Sequence, residues 1–223
     1  MPTETPTDEQ TALQNWTSAT SAAKTPEEFA RAGGAAATDF PWIFMAGYQA
    51  AIREVFQPGV NGWLAYAATE DRNGTLPGLS ISDGALYGSK TWVAGSDSAS
   101  HLVTTLRGDH GRRYFLVPRS GVRLERRPGD DRFLGALSQG IAHFEGTRDH
   151  TELHPENVRA FASAEARYVH LAYRAHVTDT FPDLPQPTDI LKLLDAHENA
   201  LDAPPDNWQR DKRVIEMYVK RQG

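Results

Sequence analysis

Thr69-Glu70-Asp71-Arg72-Asn73-Gly74-Thr75-Leu76-Pro77-Gly78 and, after nine intervening residues, Gly88-Ser89-Lys90-Thr91-Trp92-Val93-Ala94-Gly95 are the stretches whose reading decides the fold. Both sit in a run of short apolar segments separated by turn residues. Trp63 to Ala67 reads as a short strand. Leu79-Ser80-Ile81, Ala85 to Gly88 and Thr91 to Val93 follow, with a turn at Ser82-Asp83-Gly84. His101 to Leu106, Arg113 to Val117, Val122 to Arg126, Asp131 to Leu134 and Gly140 to Phe144 continue the series. A polar turn, Gly108 to Gly111, divides the first two of these. Strands this short and this regularly punctuated predict an antiparallel sandwich or barrel, placed at 62–153.

The flanks carry a different period. Asp8 to Ala23 reads as a weak helix with Leu13 and Trp16. Thr25-Pro26-Glu27-Glu28 is a helix start: a threonine cap, proline in the first helical position and acids in the first turn. That helix is expected to stop at Gly33-Gly34. Pro41 opens another, with Trp42, Met45, Gln49, Ile52 and Phe56 at helical spacing, and Pro58-Gly59 closes it. Beyond the strands, helix resumes at Pro155-Glu156 with Val158, Phe161, Glu165, Tyr168, Val169 and Ala172. Thr188-Asp189 caps a further helix, and Asp206 to Arg221 forms the last. The expected class is α+β: a central antiparallel β-sandwich or barrel domain (62–153) flanked by an N-terminal helical segment (1–61) and a reduced C-terminal one (154–223).

Composition narrows the function. The net charge of -6 argues against a nucleic-acid surface, which needs a basic patch. With no cysteine in the chain, disulfides, thiolate nucleophiles and cysteine–zinc sites are excluded. The first residues lack the apolar core of a signal peptide, and no apolar run reaches a membrane span; a cytoplasmic, membrane-free protein is the expectation. His143, His150 and His154 cluster, but their spacing fits no zinc motif. No Gly-x-Ser-x-Gly elbow occurs. From chemistry alone, the Gly74 to Gly78 loop lets backbone approach a ligand, and Trp92 offers an indole for stacking on a flat ring. Equally, Glu70-Asp71-Arg72 reads as a solvated turn and Trp92 as a core anchor.

The order of motifs adds a resemblance. Thr69-Glu70 with Gly74-Thr75, then Gly88-x-Lys90-x-Trp92-Val93, resembles the middle β domain of the acyl-CoA dehydrogenase family. Tyr114 to Pro118 with Gly121-Val122, Leu134-Gly135, and Ile141 to Gly146 continue it in register. The resemblance covers about 60–153. It implies FAD as cofactor, held by Thr69, Trp92 and Val93, and an acyl-CoA or other acyl thioester as substrate, met by Gly74 and Thr75. The implied reaction is α,β-desaturation in fatty acid metabolism, a carboxylate removing the α proton and a hydride passing to flavin. Val219 stands where the family's Arg-Asp-x-Arg-Val segment leads to a glutamate. Some members of that family carry the base on the first helix of the C-terminal part instead, so the resemblance implies Glu165, on that helix here, as the candidate base. Family members are oligomers, so a homo- or hetero-oligomer is implied. Ala94 also replaces a hydroxyl residue, and a second reading follows: a non-catalytic scaffold or acyl-ligand-binding subunit of a hetero-oligomer.

Overall fold

Thr25 starts its helix as its neighbours predict. The Glu28 amide donates to Thr25 Oγ1 at 3.2 Å, and the Thr25 amide donates back to Glu28 Oε2 at 3.1 Å, a reciprocal capping box. The computed structural model describes residues 8–108, 111–127 and 134–220. All but the last residue of the strand expected at Asp131 to Leu134, and the middle of the Gly108–Gly111 turn, lie outside these residues. The described chain is α+β and divides into a helical unit and a β unit.

The helical unit contains α1 (Asp8–Ala19), α2 (Pro26–Ala35), α3 (Phe40–Phe56), α4 (Phe161–Thr180), α5 (Ile190–Ala200) and α6 (Trp208–Lys220). Asp189 caps α5 by accepting the Leu191 amide at 2.9 Å. The helix expected to end at Gly33-Gly34 runs on through Ala35, and both glycines are buried. They are points of close approach: a Cβ on Gly34 would lie 2.2 Å from the Ala172 carbonyl oxygen of α4. Gly47 of α3 meets the same helix at Val169. Cation–π contact adds to the packing here, with the Arg53 guanidinium over Trp16 and Phe29 at 5.2 and 4.8 Å. Burial pushes the pKa of that guanidinium down to about 10.

The β unit has two four-stranded sheets and no closed barrel among the described residues. One has the order β1 (Leu64–Ala67), β4 (His101–Gly108), β5 (Gly111–Pro118), β8 (Thr151–Leu153). The other has the order β2 (Ser80–Ser82), β3 (Ala85–Ala94), β7 (Gln139–Thr147), β6 (Arg123–Arg126). The sheets are not wholly antiparallel. β1 pairs in parallel with β4, Leu64 opposite His101, because the chain leaves the first sheet to make β2 and β3 before returning. The two strands expected at Ala85–Gly88 and Thr91–Val93 form one strand, β3, with register shifts after Leu86 and Lys90. Gly88 permits this with φ +115, its α-hydrogen side facing Gly78 where a Cβ would sit 2.2 Å from a carbonyl oxygen. β8 escaped the sequence reading; it is three residues long and is held at the edge by the Arg113–Glu152 pair. Leu86, Val93, Leu102, Phe115, Val117 and Phe144 form the core.

Candidate functional site

The loop between β1 and β2 is fixed to β3 at both ends. The Thr91 amide donates to the Thr69 carbonyl at 2.8 Å, and the Ser89 amide donates to the Pro77 carbonyl at 2.9 Å. Within it, Asp71 acts as the organiser. Its carboxylate accepts the amides of Asn73, Thr75 and Leu76 at 3.0, 2.7 and 3.0 Å, and the Thr75 hydroxyl as well. The Thr75 hydroxyl bond, followed by those amides, holds the pKa of the Asp71 carboxyl down at about 2. An aspartate two residues before Asn73-Gly74 is the signal that sequence reading passed over as a solvated turn. Gly74 completes the loop with φ +69.

A second tie lies beneath the loop. Lys90 points from β3 into the space between the sheets and is fully buried. Its Nζ donates to Glu70 Oε1 at 2.8 Å and to Thr105 Oγ1 of the opposite sheet at 3.4 Å. Burial drives the ammonium pKa down, against the opposing pull of Glu70. The pair fastens the residue next to Thr69 to the sheet interior. Glu70→Gln leaves the ammonium facing a neutral amide and is expected to cost about 1–3 kcal/mol, read by urea denaturation. Adding Lys90→Met should recover most of that loss. A double variant as weak as the single one would show that the pair does not carry the effect.

Above these ties is an open cavity of about 530 Å³ lined by Thr69, Asp71, Arg72, Thr75, Thr91 and Arg127 among others. The structure thus brings Thr69 and Thr75 to one wall, although the Thr75 hydroxyl proton is committed to Asp71. Trp92 is half-buried on the adjoining strand, its indole N–H donating to Gln139 Oε1 at 3.1 Å. Val93 turns its side chain into the core, so any contact it makes with a ligand is through backbone. Glu165 belongs to the helical unit, on α4, and is 8% exposed. Sequence reading did not single out Thr91, Arg72 or Arg127 for this wall. The alternation of β3 and the turn geometry were needed to place them.

Chemically the wall offers hydroxyls and two guanidinium groups, and half-buried Trp92, which follows Thr91 on β3, is outside the residues that line it. That set suits a flat heterocycle with polar edges carrying phosphate, so the residues of the β unit fit a flavin nucleotide in kind. Elsewhere on β3 and β7, Ser89 Oγ is 3.0 Å from His143 Nδ1, and His143 Nε2 is 3.3 Å from Glu125. Ser89 is 4% exposed and its amide is engaged with Pro77, which removes the usual backbone donor next to a serine nucleophile. Of the basic residues on α6, Arg210 pairs with buried Asp211 and Lys212 with Glu198. No group of three or more metal-ligating side chains occurs among the described residues. No helix among them is long and apolar enough to cross a membrane.

No family model and no curated protein matches the sequence. Solved structures match the fold. A FAD-dependent dehydrogenase superposes with a TM-score of 0.55 over 100% of this chain and 76% of its own, at 14% identity. The prolyl acyl carrier protein oxidase AnaB gives 0.51 over 96% of this chain and 65% of its own, at 11% identity. A steroid ACAD gives 0.51 over 89% and 64%, at 19% identity. The chain therefore spans less than two thirds of the last two structures. One of these neighbours is named a FAD-dependent dehydrogenase, one an acyl carrier protein oxidase and one an ACAD, and at such identities the likeness is one of fold.

Proposed function

We propose that the chain is an acyl-CoA dehydrogenase-like flavoprotein, with 1–61, 62–153 and 154–223 as its N-terminal helical, β and C-terminal helical parts. The carrying observation is the Thr69–Thr75 loop, clamped by Glu70–Lys90 and Asp71, forming one wall with Thr91, the residue before Trp92 on β3. In this reading Thr69 and Trp92 hold the polar edge and face of FAD, with Val93 contributing backbone. Gly74 and Thr75 meet an acyl thioester, from acyl-CoA or an acyl carrier. FAD supplies the hydride-accepting ring for α,β-desaturation. The chain's own residues orient the ring and the thioester, and Glu165 serves as the base that takes the α proton. The protein works as an oligomer.

The test is spectroscopic. Protein incubated with FAD and passed through a desalting column is expected to stay yellow. Thr69→Val is expected to weaken flavin retention by roughly tenfold, through one lost polar contact. A colourless wild-type protein would sink the proposal. Anaerobic addition of acyl-CoA should then bleach the flavin, and Glu165→Gln should abolish the bleaching while leaving the colour.

One observation favours a second reading. Ala94 is fully buried where the resemblance puts a hydroxyl, and Val219 stands in place of a glutamate. Under that reading the chain is a non-catalytic scaffold or acyl-binding subunit of a hetero-oligomer. It predicts colour without bleaching, or no colour, together with co-purification of a larger dehydrogenase subunit.

A further inference from the structure

The helical unit holds a separate cavity of about 130 Å³, where the start of α3, the end of α4, α5 and the start of α6 converge. Phe40, Ile43, Phe181 and Trp208 give it apolar walls. His176 and His197 line it too, 5% and 3% exposed. Two buried imidazoles in an aromatic enclosure need an account, and neither belongs to the flavin reading.

Their hydrogen bonds fix their tautomers. His176 Nδ1 lies 2.9 Å from the Ala37 carbonyl oxygen. A carbonyl only accepts, so Nδ1 carries the proton and Nε2 keeps a bare lone pair. His197 Nδ1 lies 2.9 Å from the hydroxyl of fully buried Tyr173. That is the hydrogen bond Tyr173 makes among the described residues. If the imidazole were the donor, the phenol proton would be buried without an acceptor, which costs about 1–3 kcal/mol. Tyr173 therefore donates to Nδ1, and His197 carries its proton on Nε2. One ring is left with an acceptor and the other with a donor, their centroids 5.7 Å apart.

A single hydroxyl group satisfies both, since it donates one bond and accepts another. The volume is close to that of the apolar cavities, about 150 Å³, that take up benzene. We propose that this cavity binds a small neutral phenol-class compound. Its O–H donates to His176 Nε2, its oxygen accepts from His197 Nε2–H, and its ring lies among Phe40, Phe181 and Trp208. Charge agrees with this. Burial lowers both imidazole pKa values, that of His197 to about 4, so no imidazolium is on hand to hold an anion. Asp39, which also lines the cavity, repels one.

Calorimetric titration of the full chain with phenol, and with benzene as the hydroxyl-free probe, tests the assignment. Phenol is expected to bind saturably, one per chain, and about tenfold or more tighter than benzene, the worth of two modest hydrogen bonds. The Nε2 resonances of His176 and His197 should shift as phenol is added. Tyr173→Phe keeps the ring but releases the His197 tautomer, and is expected to lose most of the preference. Equal affinity for the two probes would reduce the cavity to an apolar void and overturn the proposal. So would saturable binding of neither, or phenol binding that leaves both imidazoles unmoved.

Discussion

Asp39→Asn is expected to make the protein more stable by about 3 kcal/mol at pH 7 and no more stable than wild type near pH 4. Asp39 precedes α3 and lines the cavity of the helical unit. Burial, and next the nearby Asp211 carboxylate, push its pKa from 3.8 up to about 6. A carboxyl whose pKa is raised on folding binds more protons folded than unfolded between those values. It therefore contributes stability at low pH and loses it as pH rises through that window. His197 has the opposite sign. Its pKa falls from 6.5 to about 4 through burial and the neighbouring His176, so the unfolded chain takes up the proton first. That costs about 3 kcal/mol as pH falls from 6.5 to 4. In the wild type the two windows overlap and largely offset. Asparagine still caps a helix, so the variant removes one titration and exposes the other. Chemical denaturation from about pH 4 to 7 reads the difference directly. A constant gap between variant and wild type across that range would disprove the raised Asp39 pKa.

Gly34→Ala is expected to destabilise by about 3 kcal/mol or more, and Gly47→Ala likewise. Helix propensity alone predicts the reverse, since alanine is better than glycine inside a helix by about 1 kcal/mol. The geometry decides the sign. The new methyl at residue 34 would sit 2.2 Å from the Ala172 oxygen and 2.6 Å from its Cα. At residue 47 it would sit 2.4 Å from the Val169 nitrogen. Both obstacles are backbone, so no rotamer change relieves them and the helices must part. Thermal unfolding of the two variants would measure this; a rise in melting temperature for either would mean that the helices are not in backbone contact there.

These same residues show where sequence patterns stop. Thr25, Pro26 and Glu28 announce a helix start because a capping box is made within four residues. Asp83-Gly84 announces a turn for the same reason, both residues adopting positive φ. Apart from β8, the strands between 62 and 153 are legible as short apolar runs, and their partners are not. Pairing in parallel with β4 depends on a crossover that no window around β1 contains. Gly33-Gly34 reads as a stop by local propensity, and it is contact with α1 and α4 that makes it part of a helix.

The candidate site divides in the same manner. Thr69, Gly74, Thr75 and Trp92 are marked by their order in the sequence. The Lys90–Glu70 tie joins residues twenty positions apart, and it exists because β3 turns that lysine inward. His176 and His197 carry no motif at all. The sequence by itself determined the capped starts of α2 and α5, most of the strand segments and the α+β class, because caps, turns and apolar periodicity act over a few residues; it missed β8 and placed the start of α4 at Pro155-Glu156 rather than Phe161. Only the tertiary structure decided which glycines are contacts, which lysine is buried, and which two histidines share a cavity. Those facts depend on side chains far apart in the chain excluding water together.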